Sequence, residues 1–111
     1  MSRAGRYRIV VTEDAQHDIE DIHRYIVAAE SAERAEAVLR GLLDTCHNLS
    51  RLPARGNVPK ELRDLGITEL REAHYGPYRV IYRLFDRRVS VYCVFDGRRD
   101  VQSLLQRRLL R

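Results

Sequence analysis

An α+β fold with the element order β-α-α-β-β-β-α is what this sequence predicts. Three observations carry the prediction: a short β-rich opening segment, two consecutive stretches with helical period, and a switch to period two over three closely linked segments. Helices grouped before a run of strands predict an antiparallel sheet with an N-terminal helical hairpin packed on one face. The other face is expected to stay partly solvated and so to be free for binding. The 111 residues fit a single domain over 1–111, large enough to bury a core without disulfides or a metal.

The first strand runs from Tyr7 to Thr12, with Tyr7, Ile9 and Val11 alternating to one face. Thr12 is placed to cap the first helix, and Glu13 and Asp14 follow in the first turn, where carboxylates suit the helix dipole. Ala15, Ile19, Ile22, Ile26 and Ala29 recur at spacings of four and three, which lines one helical face. Asp14, Asp18, Glu20 and Asp21 fall elsewhere and read as a solvated acidic face. Ser31 is placed to cap a second helix, whose apolar positions are Ala35, Val38, Leu39, Leu42, Cys46 and Leu49, and Pro53 ends it. The connection is short, so the pair reads as an antiparallel hairpin.

Pro53, Gly56, Pro59 and Gly66 break the next stretch, leaving room for a regular turn only near Glu61 to Asp64. Three strands follow: Ile67 to Tyr75, Tyr78 to Phe85 across Gly76-Pro77, and Val89 to Phe95 after the turn at Asp86-Arg87-Arg88. Links this short make an antiparallel meander. Asp96-Gly97 closes it, and Leu104, Leu105, Leu109 and Leu110 line a short C-terminal helix.

Charge is uneven. Residues 1–50 carry a net −3 and residues 51–111 a net +7, an asymmetry that points to an acidic partner for the second half. Nineteen of the twenty basic residues are arginine, which GC-rich coding explains as well as function does. No apolar run is long enough to span a bilayer, and Met1 to Arg6 lacks the apolar core of a signal peptide. The expectation is a soluble cytoplasmic protein with no membrane partner. Cys46 and Cys93 are the two cysteines. They read as reduced, buried thiols, with a disulfide between them as the other possibility.

Phosphate-binding loops, nucleophile elbows and zinc-protease helices are absent from the sequence. His17, His23, His47 and His74 read as solvated or helix-terminal, and neither cofactor nor metal is expected. The informative stretch is Leu70 to Asp100, where arginines recur on successive strands with tyrosines between them. Arg71, Arg79 and Arg99 have the spacing to converge on one anion, because guanidinium forks match phosphates and carboxylates. Pairing with Glu69, Glu72 and Asp100 on the strand surface is the equally weighted alternative.

Three segments carry a resemblance: Gly76-Pro77-Tyr78-Arg79-Val80-Ile81-Tyr82-Arg83, Asp96-Gly97-Arg98-Arg99-Asp100, and the opening from Tyr7 to Ile26 with its acidic, isoleucine-rich first helix. Together they resemble the ParE/RelE toxin superfamily over nearly the whole chain. One departure is Asp96, where many relatives have His. The resemblance implies a growth-inhibiting toxin of a type II toxin–antitoxin system, with roles such as plasmid stabilisation, neutralised by a cognate antitoxin.

RelE-type members cleave mRNA on the ribosome. Arg79 and Arg99 match their two arginines, and Arg71 would complete an anion site. The positions of their strand lysines fall at Ile67 and Glu69, and that of their C-terminal tyrosine near Leu105, so the proton-transfer groups are missing. ParE-type members inhibit DNA gyrase by contact alone, and the resemblance favours that branch. It implies a non-enzymatic toxin whose target-binding surface draws on Tyr78, Arg79, Arg83, Asp96, Arg98, Arg99, Arg107 and Arg108. An antitoxin segment is expected across the helical hairpin at Ile19, Ile26 and Leu39, reaching the edge strand of the meander. The alternatives are a ribosome-dependent endoribonuclease acting on mRNA, and a non-toxic relative that binds antitoxin only.

Overall fold

The computed structural model describes residues 6–51 and 53–109. Met1 to Gly5, at the N-terminus, and Leu110 and Arg111, at the C-terminus, lie outside the described residues. The fold is α+β. Strand β1 spans Arg8–Val11, helix α1 Glu13–Ala29 and helix α2 Ala32–Asn48. A 3-10 turn at Pro53–Arg55 and a short helix α3 at Lys60–Arg63 follow, then β2 (Leu70–Tyr75), β3 (Tyr78–Phe85), β4 (Arg88–Asp96) and α4 (Val101–Leu109).

Both helix starts form as their sequences dictate. The Ala15 N–H donates to Thr12 Oγ1 at 3.2 Å and the Arg34 N–H to Ser31 Oγ at 3.0 Å, so each cap satisfies a backbone donor that has no partner in its own helix. The stripe of α1 buries Ala15, Ile19 and Ile26, with Ile22 partly covered. Ala29, the last residue of the helix, is exposed. Helix α2 answers with Ala35, Val38, Leu42 and Cys46. Burying each of the larger side chains contributes roughly 1.5–3 kcal/mol.

The sheet order is β1-β4-β3-β2. The meander is antiparallel as expected, but β1 joins β4 in parallel, with Arg8 opposite Arg88 and Val11 opposite Val91. The sheet is therefore mixed. Nothing local to β1 sets its direction: the hairpin carries the chain to the far edge, and the returning meander ends in a strand pointing the same way.

A bulge in β4 decides which side chains face where. Ile81 pairs with Cys93 but Tyr82 with Val91, so Tyr92 is an extra residue. Strict alternation would put Val89, Val91, Cys93 and Phe95 on one face. The inserted residue instead leaves Val89 and Val91 under the helical hairpin and turns Cys93 and Phe95 to the opposite face.

That opposite face is not open along its length, contrary to the expectation above. Leu62 of α3 and Val101, Leu104 and Leu105 of α4 cover Leu70, Ile81, Cys93 and Phe95 in a second core. The inner strands are thus buried on both sides, which explains the unbroken apolar runs Val80-Ile81-Tyr82 and Cys93-Val94-Phe95. The two cysteines lie in different cores on opposite faces and are free thiols.

Candidate functional site

Arg79 projects from β3 onto the face covered by α3 and α4, where Phe95 stacks against its guanidinium at 5.5 Å. Its Nε donates to Glu72 Oε1 at 2.6 Å. Its two terminal nitrogens bind Glu61 in a fork, at 3.1 and 2.9 Å. The Arg79 side chain is 13% exposed and that of Glu72 only 6%. His74 Nε2 and Asn57 Nδ2 also approach the Glu72 carboxylate, at 3.4 and 3.3 Å. The fork holds Glu61 below its ordinary carboxylate range, and the same hydrogen bond, followed by that to Glu72, keeps Arg79 more firmly protonated against its burial. Two carboxylates surround one guanidinium, so the cluster carries net negative charge and repels a phosphate.

Arg71 points elsewhere. It sits opposite Tyr82 in register, on the hairpin face, and donates to the carbonyls of Ala54 and Gly56 at 3.2 and 2.6 Å. Tyr82 donates its hydroxyl to the Pro53 carbonyl beside it, so the two side chains tie down the 53–56 turn. Arg71 and Arg79 are therefore not brought together on one anion site. The β2 positions on the Arg79 face are Leu70, Glu72 and His74; Ile67 and Glu69 precede the strand. Leu105 is a core residue of α4.

The Asp96-Gly97-Arg98-Arg99-Asp100 segment is first of all a built turn. Asp96 accepts from the Arg98 backbone N–H at 2.9 Å and from its guanidinium at 2.9 and 2.6 Å, which lowers the Asp96 pKa. A Cβ on Gly97 would lie 2.7 Å from Arg79 Cδ and 3.1 Å from the Pro77 carbonyl oxygen, so glycine lets the Arg79 stem cross the turn. Asp100 caps α4 through the Ser103 N–H at 3.2 Å and hydroxyl at 2.9 Å, and those bonds lower its pKa as well.

Around this turn lies the exposed charge. The Arg98 side chain is 74% exposed, and Arg99 and Arg107 are also solvent-facing. Tyr78, opposite Asp96 in register, is half-buried, and burial pushes its phenol pKa up. Tyr25 at the end of the hairpin, 70% exposed, is within electrostatic reach of Arg98. The sequence reading passed over Tyr25; its only signal was an aromatic placed off the apolar stripe. Arg83 is exposed at the other end of β3.

Arg108 is a structural residue in this arrangement. Beyond Val91, β4 has no strand beside it on the β1 side. There Asp18 Oδ2 accepts the Val94 N–H at 3.0 Å, and Arg108 donates to the Tyr92 carbonyl at 2.8 Å and to Asp18 at 2.9 and 3.0 Å. Asp18, read as solvated, is thus half-buried and links α1, β4 and α4. Burial raises its pKa against the pull of the Val94 N–H and Arg108.

His23 bonds Glu36 at 2.9 Å across the hairpin, and His17 and His47 are exposed. Among the described residues no group of three or more His, Cys, Asp or Glu is arranged to hold a metal ion, and no helix is long and apolar enough to cross a membrane. On the hairpin, Ile19 and Leu39 line a shallow groove with Glu20, His23 and Arg24. Ile26, at 2% exposure, is sealed in the core and takes no part in it. At the β2 edge, the Glu72 N–H donates to the Asn57 carbonyl at 2.8 Å; His74, two residues on, turns its backbone groups to the same outer side.

The family model described as "ParE toxin of type II toxin-antitoxin system, parDE" matches residues 9–101. Among solved structures, a chain of the chromosomal ParDE toxin–antitoxin system from P. aeruginosa is 14% identical, covering 84% of this chain and 98% of that one, at a TM-score of 0.71. A chain of the RelBE2 toxin–antitoxin complex from Mycobacterium tuberculosis is 23% identical, covering 84% and 93%, at a TM-score of 0.58. At these identities the two structures speak for the fold. No curated protein matches the chain.

Proposed function

The chain belongs to the ParE toxin family of type II toxin–antitoxin systems, and from that premise we propose that it inhibits DNA gyrase by protein–protein contact, in the cytoplasm, with no chemistry of its own. The observation that carries this reading is the state of Arg79. Cleavage of RNA needs cations free to meet the developing phosphorane charge, whereas Arg79 is spent on Glu61 and Glu72. Arg71 is held on the other face by two carbonyls. What stays exposed at the turn end is a basic surface of Arg98, held to Asp96 but 74% exposed, and Arg99, and it suits contact with a protein.

The acting surface on this reading is Arg98 and Arg99, with the exposed Tyr25 of α1. Tyr78 and Asp96 shape the turn beneath, and Arg107 extends the charge along α4. A cognate antitoxin binds the hairpin groove through apolar side chains set against Ile19 and Leu39. Its chain then continues to the β2 edge near His74. The opposed charges of a basic toxin and an acidic antitoxin speed their encounter.

The test is a supercoiling assay with the purified toxin, scoring linear DNA as the trapped cleavage product. Dose-dependent loss of supercoiling, weakened by the double substitution Arg98→Ala and Arg99→Ala, supports the proposal. A folded toxin that leaves gyrase untouched and cuts mRNA only when ribosomes are present would move it to the RelE-type activity. No growth defect on expression alone would leave antitoxin binding as its sole activity.

A further inference from the structure

Among the described residues, the second face of the sheet is covered over the half near the Tyr78 end of β3. At the opposite end, register sets Arg8, Arg88 and Phe85 side by side on three adjacent strands, since Arg8 pairs with Arg88 and Arg88 with Phe85. Arg83, two residues before Phe85, shares that face, and its guanidinium lies over the Phe85 ring at 5.1 Å. All four side chains are exposed, Phe85 to 58%. Among the described residues Arg8, Arg83 and Arg88 form no ion pair; Asp86 is the only acidic residue between Arg83 and Arg88. At about 3.4 Å per residue along β3, this patch stands roughly 24 Å from the Arg98 turn, so it is a separate surface.

We propose that the Arg8–Arg83–Phe85–Arg88 patch binds single-stranded nucleic acid, with phosphates at the arginines and a base stacked at Phe85. Three unpaired guanidinium groups are complementary to a phosphate backbone. An exposed ring on a flat sheet, flanked by cations, is the platform on which successive bases stack without regard to sequence. A peptide finds less here. Strand β4 is paired on both sides at Arg88, and β3 as far as Arg83, so at those positions no backbone is free for strand addition and recognition falls to charge and ring face. The proposal stands apart from the gyrase reading and holds whichever target the Arg98 end serves.

The test uses the full chain and a fluorescein-labelled oligothymidine of about 15 nucleotides, within the usual site sizes, followed by anisotropy over a range of salt. Saturable binding that weakens with salt is expected. Arg83→Ala and Arg88→Ala should each flatten the plot of log affinity against log salt by about 0.7. Phe85→Ala should weaken binding at least about fivefold at fixed salt through loss of stacking. Phe85→Leu keeps apolar bulk at the turn and should show the same loss. Circular dichroism confirms that each variant is folded. Absence of binding by the unaltered chain overturns the proposal. So does undiminished binding by both Phe85 variants with equal competition by heparin, which would make the patch a charge-only surface for an acidic protein.

Discussion

Replacing Arg79 with alanine is the sharpest test of the structure. If Arg79 were a free, solvent-facing site residue, its loss would leave stability unchanged. Instead it is the cation between Glu61 and a nearly buried Glu72. Removing one partner of a buried pair costs about 3–5 kcal/mol, because the remaining charge is left uncompensated. Asn57 and His74 still approach Glu72, which argues for the lower end, while loss of the contact with Phe95 adds up to about 1 kcal/mol. The expected cost is thus about 3–4 kcal/mol, out of roughly 5–15 kcal/mol for a domain. For a chain near 100 residues that lowers the melting temperature by roughly 12 °C or more. Urea titration followed by circular dichroism gives the free energy, and growth on induced expression gives toxicity. Pairing Arg79→Met with Glu72→Gln removes both charges of the more buried pair and leaves only the quarter-exposed Glu61 without its partner. It should therefore recover part of the loss, since neutral replacement of a buried pair is far cheaper than breaking it. A stable Arg79→Ala, within about 1 kcal/mol of the parent yet no longer toxic, would refute the structural role and return Arg79 to the acting surface.

Gly97→Ala should cost about 1–3 kcal/mol through the clash with the Arg79 stem, read from the same titration; an unaltered midpoint would mean that the stem takes another path. Acid should destabilise the fold through Glu61. Its folded pKa lies below its ordinary 4.5, so the unfolded chain binds more protons in that window, and the stabilisation, complete above 4.5, is lost as pH falls through the folded value. Glu61→Gln should shallow that slope, and an unchanged acid titration would count against the fork. Arg108→Ala should release α4, seen as faster amide exchange over Val101–Leu109 with little change in β3, and uniform acceleration everywhere would contradict the local role. Burial pushes the Cys46 thiol pKa up to about 11 and that of Cys93 up to about 12, so neither should react with a thiol reagent at pH 8 until the chain is denatured; rapid labelling of the native protein would contradict the burial.

The sequence by itself determined what depends on neighbours along the chain. Thr12 and Ser31 cap their helices because a hydroxyl two or three residues ahead of a free N–H can reach it. The apolar spacing of α1 and α2 needed only the helical period, and the meander only short turns between period-two segments. The family, too, was legible in contiguous motifs. Tertiary structure decided whatever joins residues far apart. The parallel placement of β1, the extra residue at Tyr92 and the cover of α3 and α4 over the second face all follow from packing between distant segments. So does the sorting of the arginines. Arg79 and Arg108 look like Arg98 and Arg99 in sequence, yet the first two are taken up by Glu61, Glu72 and Asp18, and Arg108 meets an aspartate 90 residues away. Periodicity tells which face a side chain leaves from. Whether a carboxylate waits for it there is settled only when the chain closes on itself, because charge pairing acts through space and not along sequence.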